Sequence, residues 1–437
     1  MRTGLAVTSL AAQAIPGKRD QLSGRHYIAT ILAHHATWYG HEGHTRPEER
    51  KQGTGSMRIG INAFALGTGL DGSQTYVRNL IRTLATMDHT NHYSLLVLPS
   101  SQHIAVPGLA RMEQLVVRSR LGKLPVPLAS SLALLRARLD LVHVQFAAPL
   151  LCPTRIVVTV HDIMFDRHPE FFTPSDLAQL RTRVPRTLRR AVAVLTGSEY
   201  SRHDIIRQYG LSPETVVVTP YAADPVFAPV RDPARLAMVR TRYGTGDQFV
   251  LFAGALKPNK NLPTVVDAYV RLRRADAIRH RLVLVGAQAN QIMDDVFAPA
   301  RNSGYAADIV LTGHVPTDDL VALYSAAELF VQPSIFEGFG LPVLEAMTCG
   351  TAVITSSVTS IPEVTGEAAL LVDPRDVDGL AEAMRRVLTN TALRQRLEIA
   401  GLQQASHFSW RRTAQLTLQV YDAVAHSPHR RLAKPER

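Results

Sequence analysis

The sequence predicts an α/β protein built as two similar domains, each a parallel sheet covered by helices, with the carboxyl ends of the two sets of strands facing across a cleft. At 437 residues the chain exceeds the roughly 250–300 residues at which a single hydrophobic core stops growing. From Met57 onward, short runs rich in Val, Ile and Leu alternate with amphipathic stretches of about 10–15 residues, the pattern of strands joined by crossover helices. A segment from Ala223 to about Arg235, punctuated by Pro225, Pro229 and Pro233, divides that series in two and reads as the connection between domains.

Before Met57 no helical or strand period is sustained. Residues 1–56 hold a histidine patch (His34, His35, His41, His44) and end on Gln52-Gly53-Thr54-Gly55-Ser56. They are read as a disordered leader or a mis-assigned start, with Met57 as the expected point of translation initiation. In the first half, strands are expected near 93–98, 140–146, 155–161, 191–196 and 215–219, after a first strand at Met57–Ala63 and a helix from about Gln74 to Met87. The run Arg155-Ile156-Val157-Val158-Thr159-Val160 is apolar enough for a strand buried on both faces. A second series is expected near 248–253, 281–286, 308–312, 328–332, 351–355 and 369–372. The resulting divisions are 57–228, 229–408, a last helix over 409–425 that leans back on the first domain, and a basic tail over 426–437.

Composition narrows the function classes. The chain is 46% hydrophobic and 19% charged, the profile of an ordinary globular protein. Of the +11 formal charge, six units lie in residues 1–56 and 426–437, so the body is only mildly basic, and no nucleic-acid motif accompanies the charge. Cys152 and Cys349 stand far apart without metal-ligand spacing, which points to neither a disulfide scaffold nor a zinc site. No run approaches the roughly 20 apolar residues of a membrane span, and the stretch Gly4–Ile15 is too interrupted for a secretory signal. The cytoplasm is the expected compartment.

Chemistry concentrates in Pro333-Ser334-Ile335-Phe336-Glu337-Gly338-Phe339-Gly340-Leu341-Pro342-Val343-Leu344-Glu345-Ala346. A strand ends at Pro333, a glycine-containing loop follows, and Leu341-Pro342 opens a helix where proline's missing amide costs nothing. The amides of Gly338, Phe339, Gly340 and Leu341, with the helix dipole behind them, suit an anion such as a diphosphate. Glu337 and Glu345 flank that anion site, one placed to accept hydrogen bonds from sugar hydroxyls and the other from ribose hydroxyls; the competing reading makes them solvated or capping residues.

This string resembles the E-x7-E element of the retaining glycosyltransferases of family 4 (glycosyl transferases group 1). So do the residues after it: Met347 to Thr351, Ser360-Ile361-Pro362-Glu363-Val364, Gly366-Glu367-Ala368-Ala369 and Leu371-Val372-Asp373-Pro374. The similarity runs from Met57 to about Ala425, and its overall look is that of bacterial mannosyltransferases of polysaccharide assembly. The resemblance implies a GT-B fold of two Rossmann-like domains and a nucleotide diphosphate sugar as donor, with GDP-mannose the expected one. It puts Glu337 by the donor sugar and Glu345 on the ribose. Gly254 to Leu262 resembles the family's lysine loop, which assigns Lys260 to the diphosphate. Asn259 stands where many relatives carry arginine, with Lys257 the candidate substitute. Val160-His161-Asp162 resembles the His-Asp element, giving His161 a contact with the donor sugar. The loop Gly67 to Gln74 resembles the family's first glycine loop, in which Gly72 would approach the donor most closely. Gly197 to Arg202 resembles a further strand-to-helix segment, and Pro220-Tyr221-Ala222-Ala223-Asp224 departs from the family's usual Asn-Gly-Val-Asp string.

The expected reaction is cleavage of the anomeric C–O bond with charge on the leaving diphosphate held by Lys260 and the amides at 338–341. No Asp-x-Asp element marks a metal site, so no obligatory divalent cation or other cofactor is expected. Acceptor partners are a glycan or a lipid-linked saccharide. Arg181, Arg183, Arg186, Arg189 and Arg190 form a basic run that reads either as a solvated helix face or as peripheral contact with anionic lipid. The alternatives to mannosyl transfer are a UDP- or dTDP-sugar donor, or a non-hydrolysing sugar-nucleotide epimerase.

Overall fold

The computed structural model describes residues 55–67, 72–101, 112–117, 126–286 and 301–426. Residues 1–54 of the leader with its histidine patch, residues 427–437 of the basic tail, and positions 68–71 of the first glycine loop lie outside the described residues.

The first sheet contains β1 (Arg58–Asn62), β2 (His92–Val97), β3 (Glu113–Val116), β4 (Leu141–Gln145), β5 (Arg155–Thr159), β6 (Ala193–Thr196) and β7 (Val216–Val218). Its order is β3-β2-β1-β4-β5-β6-β7, and every pairing is parallel. The second contains β8 (Phe249–Ala253), β9 (Arg281–Val285), β10 (Ile309–Gly313), β11 (Leu329–Gln332), β12 (Val353–Ser356) and β13 (Leu370–Val372), ordered β10-β9-β8-β11-β12-β13 and again parallel. In both, the order reverses at one point, between β1 and β4 and between β8 and β11. Such a switch leaves a crevice beyond the carboxyl ends of the strands. This is the GT-B architecture. Strand β3 was not anticipated from the sequence: Glu-Gln-Leu-Val is a short, half-polar edge strand without the apolar run that marks the central ones.

Helix ends follow local chemistry. Helix α1 (Gly72–Met87) leads back from β1, and α2 (Val126–Ala137) precedes β4. Helix α3 (Pro174–Arg190) starts on a Thr173 cap and contains the arginine run. Helix α4 (Glu199–Tyr209) is capped by the Ser198 hydroxyl, which accepts from the Ser201 amide, and stops at Gly210 with φ 61°, the left-handed conformation glycine adopts without strain. Helix α5 (Pro233–Tyr243) begins in the expected connection, so the linker proper is shorter than the sequence suggested. Helix α6 (Leu262–Arg274) follows Asn261 at φ 58°, and α7 (Thr317–Ala326) leads into β11. Helices α8 (Leu341–Thr348), α9 (Ile361–Thr365), α10 (Val377–Thr389), α11 (Thr391–Ala405) and α12 (Trp410–His426) complete the second half.

Among the described residues three apolar clusters form the core. One lies on the face of the first sheet covered by α3 and α4, and a second on the face of the other sheet covered by α6 and α10. The third is continuous between the two halves, running from Ile59 and Tyr76 through Tyr221, Phe227 and Phe339 to Tyr324, Leu344 and Trp410. Helix α12 ties it to the first domain. Trp410 stacks on Tyr221 at 6.2 Å and donates its Nε1–H to the Ala223 carbonyl at 3.0 Å. The Tyr421 hydroxyl meets His143 Nδ1 at 2.6 Å, and Arg155 donates to the Val424 carbonyl.

Candidate active site

The glycine-containing loop at the end of β11 folds as it does because α8 starts abruptly. Gly340 takes φ 97°, a value open to glycine but strained for other residues, and Pro342 follows inside the first turn. No side chain caps α8. Among the described residues the amides of Gly338, Phe339, Gly340 and Leu341 find no protein acceptor. These are the groups a helix start leaves unsatisfied, and they carry the positive end of its dipole. Across the cleft stands the start of α1: a Cβ built on Gly72 would lie 3.8 Å from Leu341 Cδ1. Two helix amino ends thus converge on one space.

Lys260 and Glu337 form the charged rim. Nζ of Lys260 lies 2.6 Å from Glu337 Oε1, with both side chains about nine-tenths buried, at 12% and 10% exposure. Ser334 Oγ donates to the same oxygen at 2.7 Å, and the Glu337 amide is held by Thr359 Oγ1 at 3.2 Å. Glu337 is therefore neither a solvated nor a capping carboxylate. Glu345 lies eight residues on, on the first turns of α8, in a different setting. It accepts a hydrogen bond from the Tyr324 hydroxyl at 3.3 Å, and burial pushes its pKa up to about 7 against the pull of that bond and of Lys260.

Asn259 does not stand in for the arginine of the family pattern. Its Nδ2 donates to the Phe336 carbonyl at 3.1 Å, its own carbonyl accepts from Ile335, and its buried Oδ1 has no partner among the described residues; the side chain braces the 333–337 loop. Lys257 is exposed on the same turn. Sequence reasoning missed Arg78 on α1. It pairs with Asp224 at 3.0 Å and lies near enough to Glu345 to favour that group's ionised form. The only available hint was its place two turns into the helix after the glycine loop.

On the first-domain wall, His161 follows β5 as expected, but both ring nitrogens are engaged. Nδ1 meets the Tyr221 hydroxyl at 2.7 Å and Nε2 meets Gln145 Oε1 at 3.0 Å. Burial lowers its pKa to about 4, so the ring is neutral near pH 7, and a sugar hydroxyl reaches Nε2 only by displacing Gln145. Asp162, to which the sequence gave no role, faces the second domain: a Cβ on Gly338 would stand 2.7 Å from both its Oδ2 and the His161 carbonyl. Burial raises the Asp162 pKa to about 6, with the neighbouring Glu337 adding to the rise and Lys260 opposing it. Phe339 contributes only its amide to the cleft, because its ring is buried between Tyr221 at 5.1 Å and Phe408 at 5.7 Å. Among the described residues no cluster of His, Cys, Asp and Glu could hold a metal ion.

Comparison with known proteins matches both halves. The profile of a family described as "Glycosyl transferases group 1" covers residues 238–404, and that of "Glycosyltransferase Family 4" covers residues 70–227. The O-antigen chain mannosyltransferase B of Escherichia coli is 36% identical over 269 residues, 61% of this chain and 70% of that protein. The serotype-specific mannosyltransferase WbdA of Escherichia coli is 32% identical over 240 residues, 54% of this chain but only 29% of its own length. Among solved structures, sucrose-phosphate synthase from Thermosynechococcus elongatus superposes with a TM-score of 0.68 at 20% identity, covering 84% of this chain and 98% of the other. WaaG, a glycosyltransferase involved in lipopolysaccharide biosynthesis, gives 0.67 at 17% identity over 83% of this chain and 99% of its own. At those identities the structural likeness concerns the fold.

Proposed function

The chain belongs to the glycosyl transferases group 1 and is a glycosyltransferase, and from that premise we propose that it transfers mannose from GDP-mannose, with retention at the anomeric carbon, to a glycan or lipid-linked saccharide. The observation that carries the donor site is the row of amides at 338–341, without acceptors among the described residues and beside the Lys260–Glu337 pair. A diphosphate placed there meets four N–H groups, a helix dipole and an ammonium without any side chain having to be brought in. Mannose as the transferred sugar is supported by the mannosyltransferases among the relatives.

In this reading the bond between the anomeric carbon and the diphosphate oxygen breaks as charge builds on the leaving group. Lys260, shared between Glu337 and the phosphate, stabilises that charge. Glu345 accepts hydrogen bonds from the ribose hydroxyls, and the acceptor hydroxyl attacks from the face the diphosphate leaves, passing its proton to the departing diphosphate oxygen. No divalent cation is required, since the ammonium and the amides do the work a metal would do. Thermal stabilisation of the purified chain across GDP-, UDP-, dTDP- and ADP-sugars tests the donor. A shift selective for the GDP-sugar and absent in Glu345→Ala and Lys260→Ala supports the reading, and a shift with another nucleotide alone replaces mannose.

We further propose that the enzyme works at the cytoplasmic face of a membrane. Among the described residues no helix is long and apolar enough to cross one. Leu128, Leu132 and Leu135 on α2, with Leu150 and Leu151, are exposed. The loop holding the last two is tied to α3, where Arg190 donates to the Leu150 and Cys152 carbonyls at 3.1 and 3.0 Å. Exposed leucines edged by arginines suit an anionic lipid surface. Co-sedimentation with phosphatidylglycerol vesicles, lost on Leu132→Glu, checks this.

A further inference from the structure

Two motifs to which the sequence gave no part in donor binding meet across the cleft. The carboxylate of Glu363, on α9 of the second domain, accepts from the backbone amides of Glu199 at 2.8 Å and Tyr200 at 3.2 Å. Those are the first two residues of α4 in the first domain, so their amides are among the four that a helix cannot satisfy internally, and they sit at the positive end of its dipole. A side chain of one domain therefore caps a helix of the other. The same turn of α4 reaches back. Ser198 Oγ donates to the Gly338 carbonyl at 2.7 Å and Ser201 Oγ does so at 3.2 Å, both from buried serines. Ser198 meanwhile accepts from the Ser201 amide at 3.1 Å, which keeps the two hydroxyls in register. The Tyr200 ring adds a contact with Phe336 at 6.0 Å.

We infer that Glu363, Ser198 and Ser201 are positioning residues for the donor: they hold the two domains closed and fix the peptide plane between Gly338 and Phe339. In a trans peptide the C=O and N–H point in opposite directions, so two hydroxyls on the Gly338 oxygen set the direction of the Phe339 amide, one of the four in the proposed diphosphate row. Any opening of the cleft must break all four of these hydrogen bonds. A donor that needs the closed arrangement binds with an affinity reduced by the fraction of molecules that are closed. The kinetic consequence rests on the donor-site reading above, whereas the closure itself does not.

The test uses the full chain with Glu363→Ala, Glu363→Gln and Ser201→Ala. Without donor, small-angle X-ray scattering is expected to give a larger radius of gyration for Glu363→Ala than for the wild type, with Glu363→Gln between them because its amide oxygen still accepts one bond. The donor KM is expected to rise about tenfold for Glu363→Ala, equivalent to ~1.4 kcal/mol, while kcat stays within about twofold, the split expected when only the population of the closed form changes. Unchanged scattering with unchanged KM overturns the inference, as does a fall in kcat at constant KM. If Glu363→Ala melts early, Ser201→Ala, which leaves the Ser198 cap in place, decides the same two readouts. If the wild type turns over no nucleotide sugar, the functional proposal fails, and the scattering result alone decides the latch.

Discussion

On the first-domain wall of the cleft, apart from Asp162 and the Arg78–Asp224 pair, the histidines and tyrosines are neutral and tied to one another or to uncharged neighbours: His161 to Tyr221 and Gln145, His143 to Tyr421 and to Thr159 at 2.7 Å, and Tyr76 to Thr159 at 2.9 Å. On the second-domain wall the polar groups are ionic, with Lys260 held by Glu337 and with Glu345 poised near neutrality. The difference has one physical origin. The first wall is part of the apolar layer that includes Tyr76, Tyr221 and Trp410, where a charge is costly and uncharged hydrogen-bonded pairs are tolerated. Burial accordingly lowers the pKa of His161 to about 4 and of His143 to about 3. The second wall ends in backbone amides and a helix start, where negative charge is welcome. One wall shapes the space, and the other supplies the field in it.

Lys260→Ala breaks this contrast most severely. It removes the cation facing the leaving group and strands Glu337, and loss of one such stabilising donor costs about 10²–10³ in kcat. Removing one partner of a buried pair also costs about 3–5 kcal/mol of stability, so the melting temperature falls as well. A kcat within tenfold of the wild type would mean the diphosphate does not lie against Lys260.

A smaller effect is expected from Glu345→Gln, and it depends on pH. Burial raises the folded pKa to about 7 from 4.5, so between those values the folded state holds more protons than the unfolded one. Wild-type stability then falls as pH rises through that window. The melting temperature of the wild type should drop relative to Glu345→Gln between about pH 4.5 and 7 and run parallel to it above. Donor affinity should rise over the same interval in the wild type, as the carboxylate forms, and stay flat in the variant. Parallel melting curves throughout would show that Glu345 ionises as an ordinary carboxylate.

The smallest change is expected for His161→Asn. A ring already neutral above about pH 4 contributes no inflection near neutrality, so the pH–rate profile from 6 to 9 keeps its shape while kcat drops by no more than about tenfold, short of the range typical for loss of a general acid or base. Disappearance of an inflection near pH 6 to 7 in this variant would show that His161 itself titrates near neutrality.

Much of the architecture was readable. Strands β4, β5, β8 and β11 are buried apolar runs, and their length and spacing mark them without reference to anything else. The loop at 337–345 was readable for the same local reason: a strand, a glycine that tolerates positive φ, and a proline in the first helical turn can be recognised in isolation. Strand β3 was not, because a polar edge strand has no period of its own and exists by pairing with β2. Asn259 offered an arginine-sized vacancy in the pattern, but its side chain braces the loop, and the further cation that acts on Glu345 is Arg78, which lies 181 positions before Asn259 in the sequence. Asp162 stood in plain view beside His161, yet its role depends on Gly338 of the other domain pressing against it.

By itself, then, the sequence determined the two parallel sheets, the helix starts and the residue types at the anion-binding loop, since each is set by interactions among residues near one another in the chain. Only the tertiary structure decided which of those residues are charged, paired or neutral. That Lys260 holds Glu337, that Glu345 is pushed toward neutrality, and that Glu363 caps a helix of the opposite domain all depend on groups brought together from distant segments, where burial and the nearest charge set the ionisation of each.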